Sequence, residues 1–231
     1  MYTVKILRQD EPNSEKYYQS FRYEGDAQTV AQMLNELNKR VPFTDIDGEQ
    51  ATPVEWECSC LSKKCGACAM LINGIPRLAC SAFLNKLKGR TITLEPLSKV
   101  PVIRDLIVDR SCVFEMMKKL NLWLENGSWG ADGTHEQRYD SAKCIMCGCC
   151  LEVCPNFNIN TEFAGAAAPV NAFRILDQLR DSGHIQAIAD NYIKYYFDGC
   201  GKSFACHNIC PLGLPVEELM VRSNAASIWK R

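Results

Sequence analysis

Cys144-Ile-Met-Cys147-Gly-Cys-Cys150-Leu-Glu-Val-Cys154-Pro155 is the stretch on which the reading of this chain turns. Its spacing is C-x2-C-x2-C-x3-C-P. A second run answers it, Cys200-Gly-Lys-Ser203-Phe-Ala-Cys206-His-Asn-Ile-Cys210-Pro211, in the same frame but with Ser203 at the second cysteine position. Paired runs of this kind hold two iron–sulfur clusters, and the fourth cysteine of each run reaches across to the cluster of the other. The crossover groups Cys144, Cys147, Cys150 and Cys210 as a complete thiolate set suited to a 4Fe–4S cluster. It leaves Cys154, Cys200 and Cys206, with the Ser203 hydroxyl as the candidate fourth ligand. A hydroxyl keeps its proton far more readily than a thiol and suits soft iron–sulfur chemistry poorly, so three thiolates favour a 3Fe–4S cluster.

Working outward, the next cysteine cluster lies upstream: Cys60-Leu-Ser-Lys-Lys-Cys65-Gly66-Ala-Cys68, then Cys80. This is the C-x4-C-x2-C…C spacing of a plant-type 2Fe–2S site. Gly66 lets the backbone approach a small anionic cluster, and loop amides can bond its sulfurs. Between Cys68 and Cys80, Asn73-Gly74 stands between apolar runs, the strongest short hairpin signal, and such a hairpin would carry Cys80 back to the loop. Cys58, Cys112 and Cys149 fall outside these rhythms and are left out of the ligand sets.

Fourteen cysteines in 231 residues call for an explanation. Disulfides suit small secreted domains, and Met-Tyr-Thr-Val-Lys-Ile-Leu-Arg at the N-terminus has no secretory pattern. Zinc wants two cysteine pairs separated by a loop, whereas here each run is compressed into eleven residues, 144–154 and 200–210. Iron–sulfur chemistry in a reducing compartment, the cytoplasm, is the expectation, and a zinc-stapled interaction module is the alternative from another class. A net charge of −1 argues against nucleic acid as a partner. No apolar run approaches the ~20 residues that span a bilayer, so membrane association would come through partner subunits.

The pattern elsewhere predicts an α+β chain in two domains, residues 1–98 and 99–231. Residues 2–8 and 17–23 alternate as strands of one hairpin, and residues 29–39 place Val30, Met33, Leu34 and Leu37 on one helical face, capped by Asp26 or Thr29. Thr91–Glu95 reads as a closing strand and Leu97–Pro101 as a linker. From Val102 the pattern reads as helical through Leu124, with Pro169 and Pro215 placed to begin helices and 126–133 as an exposed loop. The three histidines are scattered; His207 could tune a cluster or be half-exposed. There is no catalytic triad, phosphate loop or dinucleotide fingerprint. The chain reads as a wire.

With these motifs laid out, the chain resembles the iron–sulfur subunit of succinate dehydrogenase and fumarate reductase along nearly its whole length. The Leu78-Ala-Cys80 ending, Pro101-Val-Ile-Arg-Asp-Leu-Ile-Val-Asp109 and both cysteine runs carry the likeness. Cys154-Pro-Asn-Phe-Asn-Ile-Asn160 followed by Glu162-Phe is similar to the fumarate reductase branch, the other branch usually having a tryptophan pair at Asn158 and Ile159. The resemblance implies an N-terminal β-grasp, plant-type 2Fe–2S ferredoxin-like domain and an α-helical ferredoxin domain carrying 4Fe–4S and 3Fe–4S clusters. It implies a separate FAD-containing catalytic subunit nearest the 2Fe–2S centre, and quinone at membrane anchor subunits nearest the 3Fe–4S centre, on the cytoplasmic face of the inner membrane. Where the succinate dehydrogenase branch has a histidine after the first cysteine of the second run, this chain has Gly201. Arg222 lies near the family's basic residue beyond the last motif, and with Phe157 it is named for the quinone vicinity. A related flavoprotein reducing another unsaturated acid, or a non-quinone electron partner, is the alternative.

Overall fold

Alternating apolar residues make β1 (Tyr2–Arg8) and β2 (Tyr17–Tyr23) an antiparallel hairpin whose inward side chains include Val4, Ile6, Phe21 and Tyr23. The structure is a computed structural model and describes residues 1–123, 133–177 and 183–229. The chain divides into two compact units, Met1–Asp109 and Arg110–Arg231.

In the first unit β1 also pairs in parallel with β5 (Thr91–Glu95), and β3 (Ala69–Ile72) and β4 (Ile75–Leu78) complete a sheet of order β2-β1-β5-β3-β4. The helix α1 (Val30–Asn38) is capped by Thr29, whose hydroxyl accepts from the Gln32 amide at 3.2 Å, and buries the expected Val30, Met33, Leu34 and Leu37. This is the β-grasp arrangement. Its consequence for function is positional. The Val30 amide bonds Ala82 O at 3.0 Å and the Leu84 amide bonds Gln28 O at 3.0 Å, so the segment after Cys80 is laced to the start of α1. Asn73 (φ 51°) and Gly74 (φ 74°) form the predicted hairpin turn between β3 and β4.

The helix expected from Val102 is not there. Residues 102–108 form a two-stranded ribbon, β6 (Val102–Arg104) and β7 (Ile107–Val108), and the helix α2 covers only Ser111–Lys119. The cause is Asp105, which turns the chain with a φ of +44° and buries its carboxylate completely. That carboxylate accepts from Arg8 Nε at 2.8 Å, the Gln9 amide at 3.2 Å and the Glu55 amide at 2.9 Å. Three distant donors outweigh local helical periodicity. Leu124 and the loop expected at 126–133 lie outside the described residues, Gly133 excepted.

The second unit is helical: α2, α3 (His135–Ala142), α4 (Cys149–Glu152), α5 (Ala167–Leu176), α6 (Gly183–Tyr192) and α7 (Val216–Trp229), with a wide turn at Ile193–Phe197 after α6. Pro169 lies in the first turn of α5 and Pro215 directly precedes α7, positions that need no amide hydrogen bond. Ala168 and Ala172 keep α5 slim at the centre of a core with Leu120, Ile188, Tyr192 and Met220. Ser223 Oγ donates to Pro169 O at 2.8 Å and clips α7 to α5. Among the described residues no helix is long and apolar enough to cross a membrane.

Candidate metal centres

The upstream loop is built to present amides to sulfur. Leu61 (φ 49°), Lys63 (φ 63°) and Gly66 (φ 79°) take left-handed conformations that curl residues 60–68 on themselves. Cys60 Sγ accordingly accepts the Ser62 amide at 3.4 Å and the Lys64 amide at 3.2 Å. These two donors draw the Cys60 thiol down to about 6, with a hydrogen bond from Cys65 contributing. Cys68 is pushed up to about 12, first by burial and then by the neighbouring Cys80 and Cys65 sulfurs, although the Cys80 amide donates to it. The Ala79 amide bonds Cys68 O at 3.0 Å, so the β3–β4 hairpin does return Cys80 to Cys68. The four cysteines named from spacing, Cys60, Cys65, Cys68 and Cys80, thus stand in one chain of neighbours, and Cys58 is exposed.

In the second unit the two cysteine runs wall two pockets. One, of about 430 Å³, is lined by Cys144, Cys147, Cys150 and Cys210, with Met146 and Val170 among its apolar wall. The other, of about 350 Å³, gathers Cys154, Cys200, Cys206 and Ser203, with Tyr196 and Asn156 beside them. Each pocket wall therefore draws cysteines from both runs. The short helix α4 carries the chain from Cys150 in the first pocket to Cys154 in the second, and Cys210 returns to the first. Left-handed turns at Met146 (φ 49°), Gly148 (φ 88°), Lys202 (φ 52°) and Phe204 (φ 55°) fold each run around its pocket. Among the described residues no three metal-binding side chains meet at one ion-sized point. The cysteines line walls instead.

The donor set suits iron–sulfur centres. Burial pushes the Cys144 and Cys150 thiols up, and each is pushed further by the other sulfurs of its pocket, Cys147 and Cys210. Thiolates gathered beside one another in a largely apolar pocket need compensating positive charge, which an iron-bearing centre would supply. Cys206 is raised in the same way by burial and by Cys154 and Cys200. Ser203 Oγ accepts the Ala205 amide at 3.4 Å.

Other residues fall into place around these walls. Cys149 is fully buried, lines neither pocket and donates its thiol hydrogen to Cys147, which that bond, ahead of burial, leaves lowered to about 7. Cys112 packs at the edge of the Val113, Leu151, Phe157 and Ala167 cluster. Phe157 belongs to that core at 2% exposure and lines neither pocket. Arg222 sits on α7 with its Nε 2.9 Å from Glu218 Oε1, outside the pocket walls. His207 is exposed and pairs with Glu217 at 2.9 Å, the half-exposed alternative of the two readings. Spacing alone missed Asn171 and Tyr196. Asn171, 1% exposed in the otherwise apolar run Ala166–Phe173, carried the one available signal, a lone polar residue on a buried helix.

Comparison with known proteins agrees with this architecture. Residues 3–115 match a model of a 2Fe-2S iron-sulfur cluster binding domain, and residues 140–214 match a 4Fe-4S dicluster domain. The succinate dehydrogenase iron-sulfur subunit of Bacillus subtilis is 35% identical over 91% of this chain and 86% of its own. The fumarate reductase iron-sulfur subunit of Wolinella succinogenes is 27% identical, covering 94% of this chain and 93% of its own, and that of Escherichia coli 31%, covering 72% and 71%. Among solved structures, a chain of the Mycobacterium smegmatis Sdh1 complex superposes with a TM-score of 0.70 at 21% identity over 99% of this chain and 96% of its own, a likeness of fold. The chain belongs to the family of succinate dehydrogenase and fumarate reductase iron–sulfur subunits, the electron-transfer component of an oxidoreductase complex. Its identity to the Bacillus subtilis succinate dehydrogenase subunit is higher than to either fumarate reductase subunit named, so overall identity does not follow the fumarate reductase likeness expected from Asn158 and Ile159.

Proposed function

We propose that Cys60, Cys65, Cys68 and Cys80 hold a 2Fe–2S cluster, that Cys144, Cys147, Cys150 and Cys210 hold a 4Fe–4S cluster, and that Cys154, Cys200 and Cys206 hold a 3Fe–4S cluster beside Ser203. When bound, such clusters each accept and release one electron at a time. The residues of this chain supply thiolates, orient them with left-handed turns and amide donors, and keep the two downstream pockets largely apolar. The chain relays electrons between a FAD-containing catalytic subunit and a quinone site on membrane anchor subunits, through which it is held at the cytoplasmic face of the inner membrane. Arg222 is its candidate basic residue toward that quinone site.

The observation that carries this reading is the crossing: Cys210, from the second run, shares a pocket with Cys144, Cys147 and Cys150 of the first. Iron and acid-labile sulfide analysis of the anaerobically isolated complex tests it, with about nine irons and about ten sulfides per chain expected. Several equivalents of zinc and no visible colour would end the redox reading in favour of the zinc-stapled module.

Gly201 favours a second reading that keeps the wire and changes its far end. It stands where the succinate dehydrogenase branch has a histidine, and a Cβ there would lie 3.1 Å from Asn156 Nδ2, a tight fit for any side chain. Asking which acceptor oxidises the reduced complex separates the two: rapid oxidation by a quinone supports the first, and turnover only with a soluble carrier or thiol the second.

A further inference from the structure

Asn171 is polar, 1% exposed and placed on α5, where its neighbours Val170, Ala172 and Phe173 are all buried. Its side-chain amide has two acceptors. Nδ2 lies 3.0 Å from Ala167 O, one turn back on the same helix, and 3.5 Å from Cys144 Sγ. An amide nitrogen carries two hydrogens, one for each acceptor. The reversed amide would set Oδ1 against a carbonyl oxygen and a sulfur, two electron-rich atoms, so the orientation is chemically determined.

The approach of Cys144 to Asn171 is held by the elements themselves. Ser141, fully buried near the end of α3, donates its hydroxyl to Val170 O, the residue before Asn171. The Cys144 amide bonds Ser141 O at 3.3 Å, so the first cysteine of the run is laid against α5 within three residues of that clasp. Burying an amide here costs free energy unless its hydrogens are used, and a leucine would pack in the same volume without that cost. Spending a buried polar group at this point gains one thing that leucine lacks: a donor aimed at sulfur.

We infer that Asn171 is a positioning residue for the four-iron centre, donating to the Cys144 sulfur through Nδ2 and thereby raising the reduction potential of that centre relative to the other two. This rests on the assignment of Cys144 as a ligand. A hydrogen bond to a ligand sulfur stabilises the more negative, reduced state more than the oxidised one, because sulfur carries more charge after the electron arrives. Asn171 Nδ2 bonds the Cys144 sulfur, a member of the four-iron set, so its loss acts on that centre.

The test is an EPR-monitored redox titration of the intact complex carrying Asn171→Leu, which conserves volume and removes the donor. The four-iron midpoint should fall by about tenfold in the reduction equilibrium, about 59 mV for one electron. The 2Fe–2S and three-iron midpoints serve as internal references and should stay in place. Asn171→Gln, which keeps an amide, should recover part of the shift. A merely structural role would lower thermal stability and leave the midpoint where it was, and that result overturns the inference. Should Asn171→Leu fail to assemble, 15N labelling of asparagine side chains in the unmutated complex decides: the reduced four-iron centre should show a nitrogen coupling, and no coupling overturns the inference. The underlying ligand assignment fails differently. It is lost if a four-iron signal is missing from the unmutated complex or survives Cys144→Ala.

Discussion

At position 203 one oxygen stands where the first run, in the same frame, has the sulfur of Cys147. Three cysteines and Ser203 share the second pocket, where the hydroxyl accepts the Ala205 amide at 3.4 Å. Ser203→Cys should therefore supply the missing thiolate and convert a three-iron to a four-iron centre of lower potential. Low-temperature EPR of the oxidised complex checks it: the three-iron signal should vanish from the variant, and its persistence would show that the serine position is not a cluster corner. A second residue works by space alone. Gly165, just before α5, has a φ of +68°, and a Cβ there would stand 2.4 Å from Leu151 Cδ2 and 2.8 Å from Phe157 Cδ2. Left-handed backbone and overpacking together should make Gly165→Ala destabilising by about 2–4 kcal/mol, read as an earlier thermal transition. Phe157, named from the sequence for a quinone vicinity, has this packing role in the structure, since it closes on Gly165 and Leu151. Sequence position told where Phe157 lies along the chain and could not tell which way its ring faces.

At the scale of elements, legibility followed the range of the forces involved. The β1–β2 hairpin, the Asn73-Gly74 turn and the buried face of α1 were readable because alternation, turn chemistry and helical period act within a few residues. The left-handed turns that curl the cysteine loops, at Leu61, Lys63, Met146 and Lys202, are local as well. The ribbon at residues 102–108 has a helical period in its sequence, and the contact that overrides it spans 97 residues, from Arg8 to Asp105. Arg8 is 1% exposed and Asp105 0%, and the pair is the hinge-pin of that ribbon. Asp105→Ala should leave the Arg8 charge buried without its partner and orphan the Gln9 and Glu55 amides, costing about 3–5 kcal/mol. Chemical unfolding followed by loss of the 2Fe–2S absorbance measures this. Arg8→Met combined with Asp105→Ala should recover much of the loss, because no uncompensated charge remains. Equal destabilisation in the single and double variants would mean that the amide contacts, not the ion pair, hold the ribbon.

For the molecule as a whole, the division of cysteines fixes which centres can be lost independently. The four upstream cysteines all fall within Met1–Asp109, and the seven downstream ones within Arg110–Arg231. Cys65→Ser should accordingly abolish the 2Fe–2S signal and leave both downstream signals. Within the second unit, simple proximity in sequence and the crossed arrangement make opposite predictions, so two substitutions decide between them. If each run served its own cluster, removing Cys210 would damage the centre held by Cys200 and Cys206, and removing Cys154 would damage the centre held by Cys144, Cys147 and Cys150. The pockets place Cys210 with Cys144, Cys147 and Cys150, and Cys154 with Cys200 and Cys206. Cys210→Ala should therefore remove the four-iron EPR signal while the three-iron signal persists, and Cys154→Ala should do the reverse. The crossing also predicts mutual stabilisation. Each centre ties the 144–154 run to the 200–210 run, so losing either should open the same helical unit to unfolding, and losing both should cost less than the sum of the two single losses. Selective loss in the uncrossed pattern would separate the runs and remove the physical basis for two unlike centres built from one repeated frame.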